Sequence, residues 1–146
     1  MVKLHLVGVD TRIEIEVICR SYPDYTDYWD GNWITSKISI DIPGYKAQFN
    51  AELRTDELSD FANELTLMDR KLKGKASLFN LDGYLELECK INKQGVIFWT
   101  VEICYPAGIG AVLKFDFCSD QSYLKGIVSE IESILTVFPV LGNPNS

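Results

Sequence analysis

The sequence predicts an α+β fold: an antiparallel β-sheet system of about eight strands with two amphipathic helices, at about 55–73 and 121–138, packed on its apolar face. Three observations carry this. Apolar and polar residues alternate with period two along most of the chain, as strands with one buried face require. The period switches to the helical one twice, each time after a group of strands. Turn chemistry, such as Pro43-Gly44 and the stretch 92–95, falls between alternating runs. With 146 residues, 47% hydrophobic and 24% charged, the chain reads as one ordered domain, 1–146, with 141–146 a loosely held tail.

Lys3, His5 and Val7 open the chain in a strand-like alternation. Ile13, Ile15, Val17 and Cys19 then alternate with Arg12, Glu14 and Glu16. Ile34, Ile38, Ile40 and Ile42 alternate with Thr35, Lys37, Ser39 and Asp41; Pro43-Gly44 turns the chain, and Tyr45, Ala47, Phe49, Ala51 and Leu53 continue the pattern. This pair is the clearest hairpin. The first helical stripe is Leu58, Phe61, Ala62, Leu65, Met68 and Leu72, with Thr55 as expected N-cap, Asp56 and Glu57 at the positive end and Lys71, Lys73 and Gly74 at the other. Leu85, Leu87, Cys89 and Ile91 form a further strand. The run 96–105 is apolar on both faces and is expected in the sheet interior, and Leu113, Phe115 and Phe117 give the last strand. Asp120 caps the second helix, whose stripe is Leu124, Ile127, Val128, Ile131, Leu135 and Phe138 before Pro139 stops it. Each half thus runs strands and then a helix, without a residue pattern that aligns one half to the other. An exposed sheet edge would be able to pair two copies, but the sequence does not identify the edge strand.

With 21 acidic and 14 basic residues, the net charge is -7. Such a field repels nucleic acid and anionic membranes and attracts basic partners. The first apolar run is too short for a signal-peptide core, and no stretch has the roughly 18 apolar residues of a membrane span. A cytoplasmic location is expected. Cys19, Cys89, Cys104 and Cys118 are widely spaced and lie in or at the end of strand-like stretches, so they are expected as buried free thiols; no C-x-x-C pairs suggest zinc.

Little in the chain resembles catalysis. The single histidine, His5, lies in a strand, and no G-x-S-x-G turn offers a nucleophile. Asp30-Gly31-Asn32 lacks the ligand order of a calcium loop, and Gly108-Ile109-Gly110 precedes a strand instead of a helix, unlike a dinucleotide fingerprint. No catalytic residue, metal or cofactor is expected.

Residues 22–33 are the exception to an otherwise ordinary pattern. They hold five aromatics, Tyr22, Tyr25, Tyr28, Trp29 and Trp33, and three aspartates, Asp24, Asp27 and Asp30, with no Lys or Arg before Lys37. At about 150–250 Å² per ring, five rings would bury roughly 750–1,250 Å², close to the about 800 Å² that one partner contributes to a standard interface. Unpaired carboxylates do not enter an apolar core without a cost of several kcal/mol. The tryptophans are expected largely inward, with the tyrosines displayed beside the aspartates. Tyr22, Asp24, Tyr25, Asp27, Tyr28, Trp29 and Asp30 are therefore the candidate partner-binding residues. The alternatives are a small-ligand or peptide-binding domain with a pocket enclosed by Trp29, Trp33 and Trp99, and an enzyme that uses carboxylates alone.

The string Asp27-Tyr28-Trp29-Asp30-Gly31-Asn32-Trp33-Ile34 resembles the D-Y-W-D-x-N-W-[ILV] block of the WapI-type immunity proteins. Two further blocks agree: Ala51-Glu52-Leu53-Arg54-Thr55 with the helix after it and Gly74-Lys75-Ala76, and Asp120-Gln121-Ser122-Tyr123-Leu124 with the last helix and Phe138-Pro139-Val140-Leu141-Gly142. Ser122 stands where threonine is usual. The resemblance implies a small cytoplasmic bacterial protein that binds and neutralises the toxic C-terminal domain of a contact-delivered, wall-associated toxin. Toxins of this delivery class are often nucleases with basic substrate grooves, which an acidic inhibitor would suit.

Overall fold

A computed structural model describes residues 2–145; Met1 and Ser146, the outermost residues of the expected domain, lie outside the described residues. The first sheet is a meander of β1 (Val2–Gly8), β2 (Thr11–Arg20), β3 (Trp33–Ile42) and β4 (Tyr45–Arg54), with a short helix, α1 (Tyr28–Gly31), between β2 and β3. Helix α2 (Thr55–Lys71) follows. The second sheet repeats the plan with β5 (Lys75–Phe79), β6 (Leu85–Ile91), β7 (Val96–Tyr105) and β8 (Ala111–Asp120), then a 3-10 turn (Gln121–Tyr123) and α3 (Leu124–Val137). All neighbouring strands are antiparallel. The α+β class and the eight strands are as the sequence predicts. β5 is the strand the alternation did not single out, because five residues give only Ala76 and Leu78 as an inward row.

Cross-strand apolar pairs set the register. Ile38 stands between Ile15 and Phe49 in the first sheet, and Trp99 between Cys89 and Phe117 in the second. Slipping any strand by one residue would turn its apolar row to solvent. Trp99 is buried, stacked on Phe117 at 5.7 Å and edge-on to Phe61 of α2 at 6.3 Å. Its indole N–H donates to Ser119 Oγ at 2.9 Å, so burying the ring strands no polar atom. The run 96–105 is indeed interior, flanked by β6 and β8. At the β3–β4 turn Gly44 takes φ +82°, the conformation that the residue after proline needs in a type II turn.

The thiols depart from expectation. Only Cys89 is buried, and burial pushes its thiol up to about 12; Cys104 is half-buried and Cys19 and Cys118 are exposed. Strand parity puts Cys104 and Cys118 on the outer face, one residue after inward Ile103 and Phe117. Cys19 is turned out by a β-bulge between Val17 and Cys19, which pairs Cys19 with Thr35 and Arg20 with Ile34.

The helical stripes behave as predicted apart from their ends. Leu58, Phe61, Ala62, Leu65 and Met68 are buried, whereas Leu72 is exposed because it takes φ 55° as the left-handed C-cap. Arg54, and not Thr55, is the N-cap of α2, and Thr55 is the buried first helical residue. Asp120 caps the 3-10 turn that leads into α3, accepting from Ser122 N, and not α3 itself, whose N-cap is Tyr123.

Each helix packs on the leading edge of the other half: α2 on β5 and α3 on β1, with the helices against each other. In both halves a glutamate closes that edge. Glu64 accepts from Ser77 N at 2.9 Å, and Glu130 accepts from His5 N at 3.1 Å. Glu64 lies between the buried Phe61 and Leu65, and Glu130 between Ile127 and Ile131. Here is the pattern common to the two halves. It is spread over four elements and so does not align as a string. His5 is also held by its ring, with Nδ1 2.7 Å from Glu130 and Nε2 3.0 Å from Glu14.

Ser36 is the one buried side-chain polar atom without a partner among the described residues, on the inner face of β3 between Val17 and Ala51. An unsatisfied buried hydroxyl costs about 1–3 kcal/mol. Ser36→Ala is therefore expected to raise the stability by roughly 1 kcal/mol, read as a higher urea midpoint with an unchanged slope.

Candidate functional site

The loop between β2 and β3 is gripped from below by three side chains and the C-terminal segment. Ser21 N donates to Trp33 O at 2.9 Å and closes its mouth. The bulge in β2 puts Arg20 on the inner row in the place Cys19 would otherwise take. From there its guanidinium donates to Gly31 O at 2.7 Å and Pro139 O at 2.5 Å. Asn32, fully buried, donates to Tyr28 O and Leu141 O, while its Oδ1 accepts from Leu141 N and from Thr55 Oγ1. Thr55 thus gives up capping to hold Asn32. Leu141, the first residue of the expected tail, is tied at both its N–H and its carbonyl.

Arg54 is the centre of this arrangement. It is 2% exposed, and its Nε donates to Asp56 Oδ1 at 2.9 Å, Nη1 to Trp29 O at 2.6 Å and Nη2 to Tyr28 O at 2.8 Å. Its guanidinium carbon lies 4.8 Å from the Trp33 ring centroid, 5.3 Å from Tyr28 and 5.5 Å from Trp29. A buried guanidinium with its fork filled and aromatic faces around it meets its desolvation cost locally. Packing elsewhere is equally close. A Cβ at Gly31 would meet Tyr25 O at 2.9 Å, and one at Gly142, where φ is +66°, would meet Tyr28 N at 2.6 Å.

On top of this base the side chains divide. Tyr22 (49%), Tyr25 (54%) and Trp29 (55%) are exposed, whereas Tyr28 and Trp33 are half-buried. The expectation of inward tryptophans and three displayed tyrosines is thus corrected. Trp29 faces out and Tyr28 turns in, because its hydroxyl donates to Asp56 at 3.0 Å and its ring lies beside Arg54. Tyr22 and Tyr25 meet edge-on at 6.2 Å. Asp24, Asp27 and Asp30 are all exposed and enter no ion pair among the described residues. Asp27 has a local task as well, capping α1 by accepting from Asp30 N.

Negative charge continues onto α2. The Asp60 carboxyl is raised from its ordinary value by partial burial and then by the neighbouring Asp56 and Glu64. Tyr28 is raised by burial and then by its bond to Asp56. Glu57 is raised by burial although it accepts from Arg54 N, Asn80 Nδ2 and Leu81 N. Trp99 lies in the core, far from closing a pocket with Trp29 and Trp33. Open grooves lie elsewhere, on the outer face of the first sheet beside Arg12, Asp41 and Lys46, and between α2 and the 3-10 turn beside Asp69, Arg70 and Gln121. Among the described residues no cluster of three His, Cys, Asp or Glu side chains is arranged for a metal ion. No helix among them is long and apolar enough to cross a membrane.

Removing Arg54 takes one donor each from the carbonyls of Tyr28 and Trp29 and from the Asp56 carboxylate. Arg54→Ala is expected to cost roughly 3–5 kcal/mol in urea denaturation. Arg54→Lys should recover less than half, since an ammonium does not span the three acceptors. Tyr28 gives a second prediction. Its raised pKa means that its contribution is full below its ordinary value near 10 and is lost as pH rises through the folded-state value. Stability measured on the alkaline side should fall less with pH in Tyr28→Phe than in the wild type.

In sequence, no curated protein matches the chain. Solved structures that share the fold include the plant transcriptional regulator PBF-2, at 12% identity with 96% of this chain and 81% of that one covered (TM-score 0.55), and WHY3 from Arabidopsis thaliana, at 9% identity with 97% and 88% covered (TM-score 0.52). At such identities the likeness is one of fold. The model of the immunity protein WapI-like family matches residues 6–139, which takes in the loop, Arg20, Asn32, Arg54 and Pro139, and the chain belongs to that family.

Proposed function

We propose that the protein is a non-catalytic, cytoplasmic immunity protein that binds a cognate toxin domain through the exposed face of residues 22–30 and so neutralises it. The reading rests on one observation. Three exposed rings and three unpaired aspartates stand on a base fixed by Arg20, Asn32 and Arg54. Rigid aromatic anchors lose little entropy on docking, and preorganisation turns contact area into affinity. The partner that fits is basic, such as the substrate groove of a nuclease. Asp24, Asp27 and Asp30, with Asp56 and Asp60 behind them, would steer it, and a net charge of -7 would speed encounter at low salt. Three half-exposed rings would supply roughly 200–400 Å² of contact, less than the about 800 Å² of a standard interface. The remainder would come from the start of α2 and from Pro139 and the exposed Val140, which border the loop.

Co-expression with the toxin domain tests this. Tyr25→Ala/Trp29→Ala/Asp30→Asn leaves the Arg54 fork, the Asp27 cap and Asn32 in place. It is expected to abolish protection and to weaken binding by roughly a hundredfold or more, with the association rate of the wild type falling steeply as salt rises. Undiminished protection by a variant with a wild-type melting curve would remove the loop from the interface.

A further inference from the structure

Of the four sheet edges, two are covered by a helix and a third is met near one end by a side chain. β1 is covered by α3 and Glu130, and β5 by α2 and Glu64. β4 is met by Asn80, whose Nδ2 donates to Glu52 O. β8 pairs only with β7, and among the described residues no hydrogen bond reaches the backbone of 111–117 from its other side. Its inward row is also incompletely covered: Leu113 and Phe115 are half-buried where Phe117 is buried. A long edge of this kind is a template for another strand.

We propose that the β8 edge pairs antiparallel with β8 of a second copy of this chain, in the register centred on Phe115. That register sets Lys114 of each copy opposite Asp116 of the other, so both outer-face pairs carry opposite charge, while Leu113 meets Phe117 and Phe115 meets Phe115 on the inner face. Moving the centre one residue back would set Lys114 against Lys114, and like charges directly opposite are destabilising. The ends of the strand match too. Carried past Ala111, the same register brings the β7–β8 turn of one copy, with Ile109 88% exposed, to the far end of β8 in the other. There Val7, Val9, Cys118 and Tyr123 line an apolar groove, with Val9 86% exposed. An exposed knob and an exposed groove at opposite ends of one strand are what a twofold interface uses twice. The result is one eight-stranded sheet across two copies.

The test is sedimentation of the full chain across the micromolar range, with Lys114→Asp, Asp116→Lys and the double exchange. The wild type is expected to dimerise, each single variant to raise the dissociation constant about tenfold or more, and the double exchange to restore most of the loss. Lys114 also bridges Glu102 at 3.1 Å, but at an exposed site where such pairs contribute little. The melting curve of Asp116→Lys, opposite Thr100, should stay close to that of the wild type, and that of Lys114→Asp, opposite Glu102, should fall only slightly. A wild type monomeric throughout, or a double exchange no tighter than the single variants, overturns the proposal. So does a monomeric wild type whose single variants lose the toxin domain, since the edge would then belong to that partner.

Discussion

Arg54 holds together the end of the molecule that carries the β2–β3 loop. It lies where β4 hands over to α2, and its position answers three demands at once. Its N–H is taken by Glu57, which fastens the first turn of α2; its Nε is taken by Asp56; and its fork is taken by the carbonyls of Tyr28 and Trp29. Those two carbonyls belong to a four-residue helix, too short to be stable by propagation alone. The cation at its end, together with the Asp27 cap at its start, replaces the helical length it lacks. With the α1 backbone fixed, Trp29 has no choice but to point outward, since the inward side is already filled by the guanidinium and Tyr28.

The bulge in β2 belongs to the same construction. Without it, parity would carry Cys19 inward beside Ile34, and Arg20 would face solvent. One extra residue reverses them, and the arginine so re-aimed reaches both Gly31 and Pro139. A cation in that place joins the loop to the segment after α3, where Asn32 adds Leu141. The first and last sequence blocks of the family resemblance are therefore in contact, 109 residues apart along the chain. The glycines at 31 and 142 lie where that contact leaves no room for a side chain.

The fold was legible in the sequence wherever one period ran long enough to be counted, as in the β3–β4 hairpin, β7 and both helical stripes. It was not legible where a single residue changes the phase. The bulge at Ile18 leaves no signature in composition, and Leu72 fits the stripe of α2 while its backbone has already left the helix. Of the candidate site, the type of surface could be read but not the sorting of its rings. Five aromatics within twelve residues carry no indication of which will lie against a buried cation, because that cation, Arg54, comes 21 residues after Trp33. The signal for it was present, an arginine closing the apolar alternation of β4 just before a helix, and its meaning depends on the loop being folded over it.

Two kinds of acidic residue in this region are used differently. Asp56 and Glu57 are spent on the fold, the first against Arg54 and Tyr28, the second against three donors that offset part of its burial. Asp24 and Asp30 lie in the same loop and accept from no side chain among the described residues, although the guanidinium groups of Arg20 and Arg54 lie against its backbone. Both arginines turn instead to backbone carbonyls beneath the loop. The positive charge that could have neutralised the surface lies under it, and like-charged neighbours left exposed repel one another at some cost to the folded state. On the proposed function, a surface kept negative against the available means of neutralising it would be explained by what it meets from outside, and a cationic partner would recover the cost.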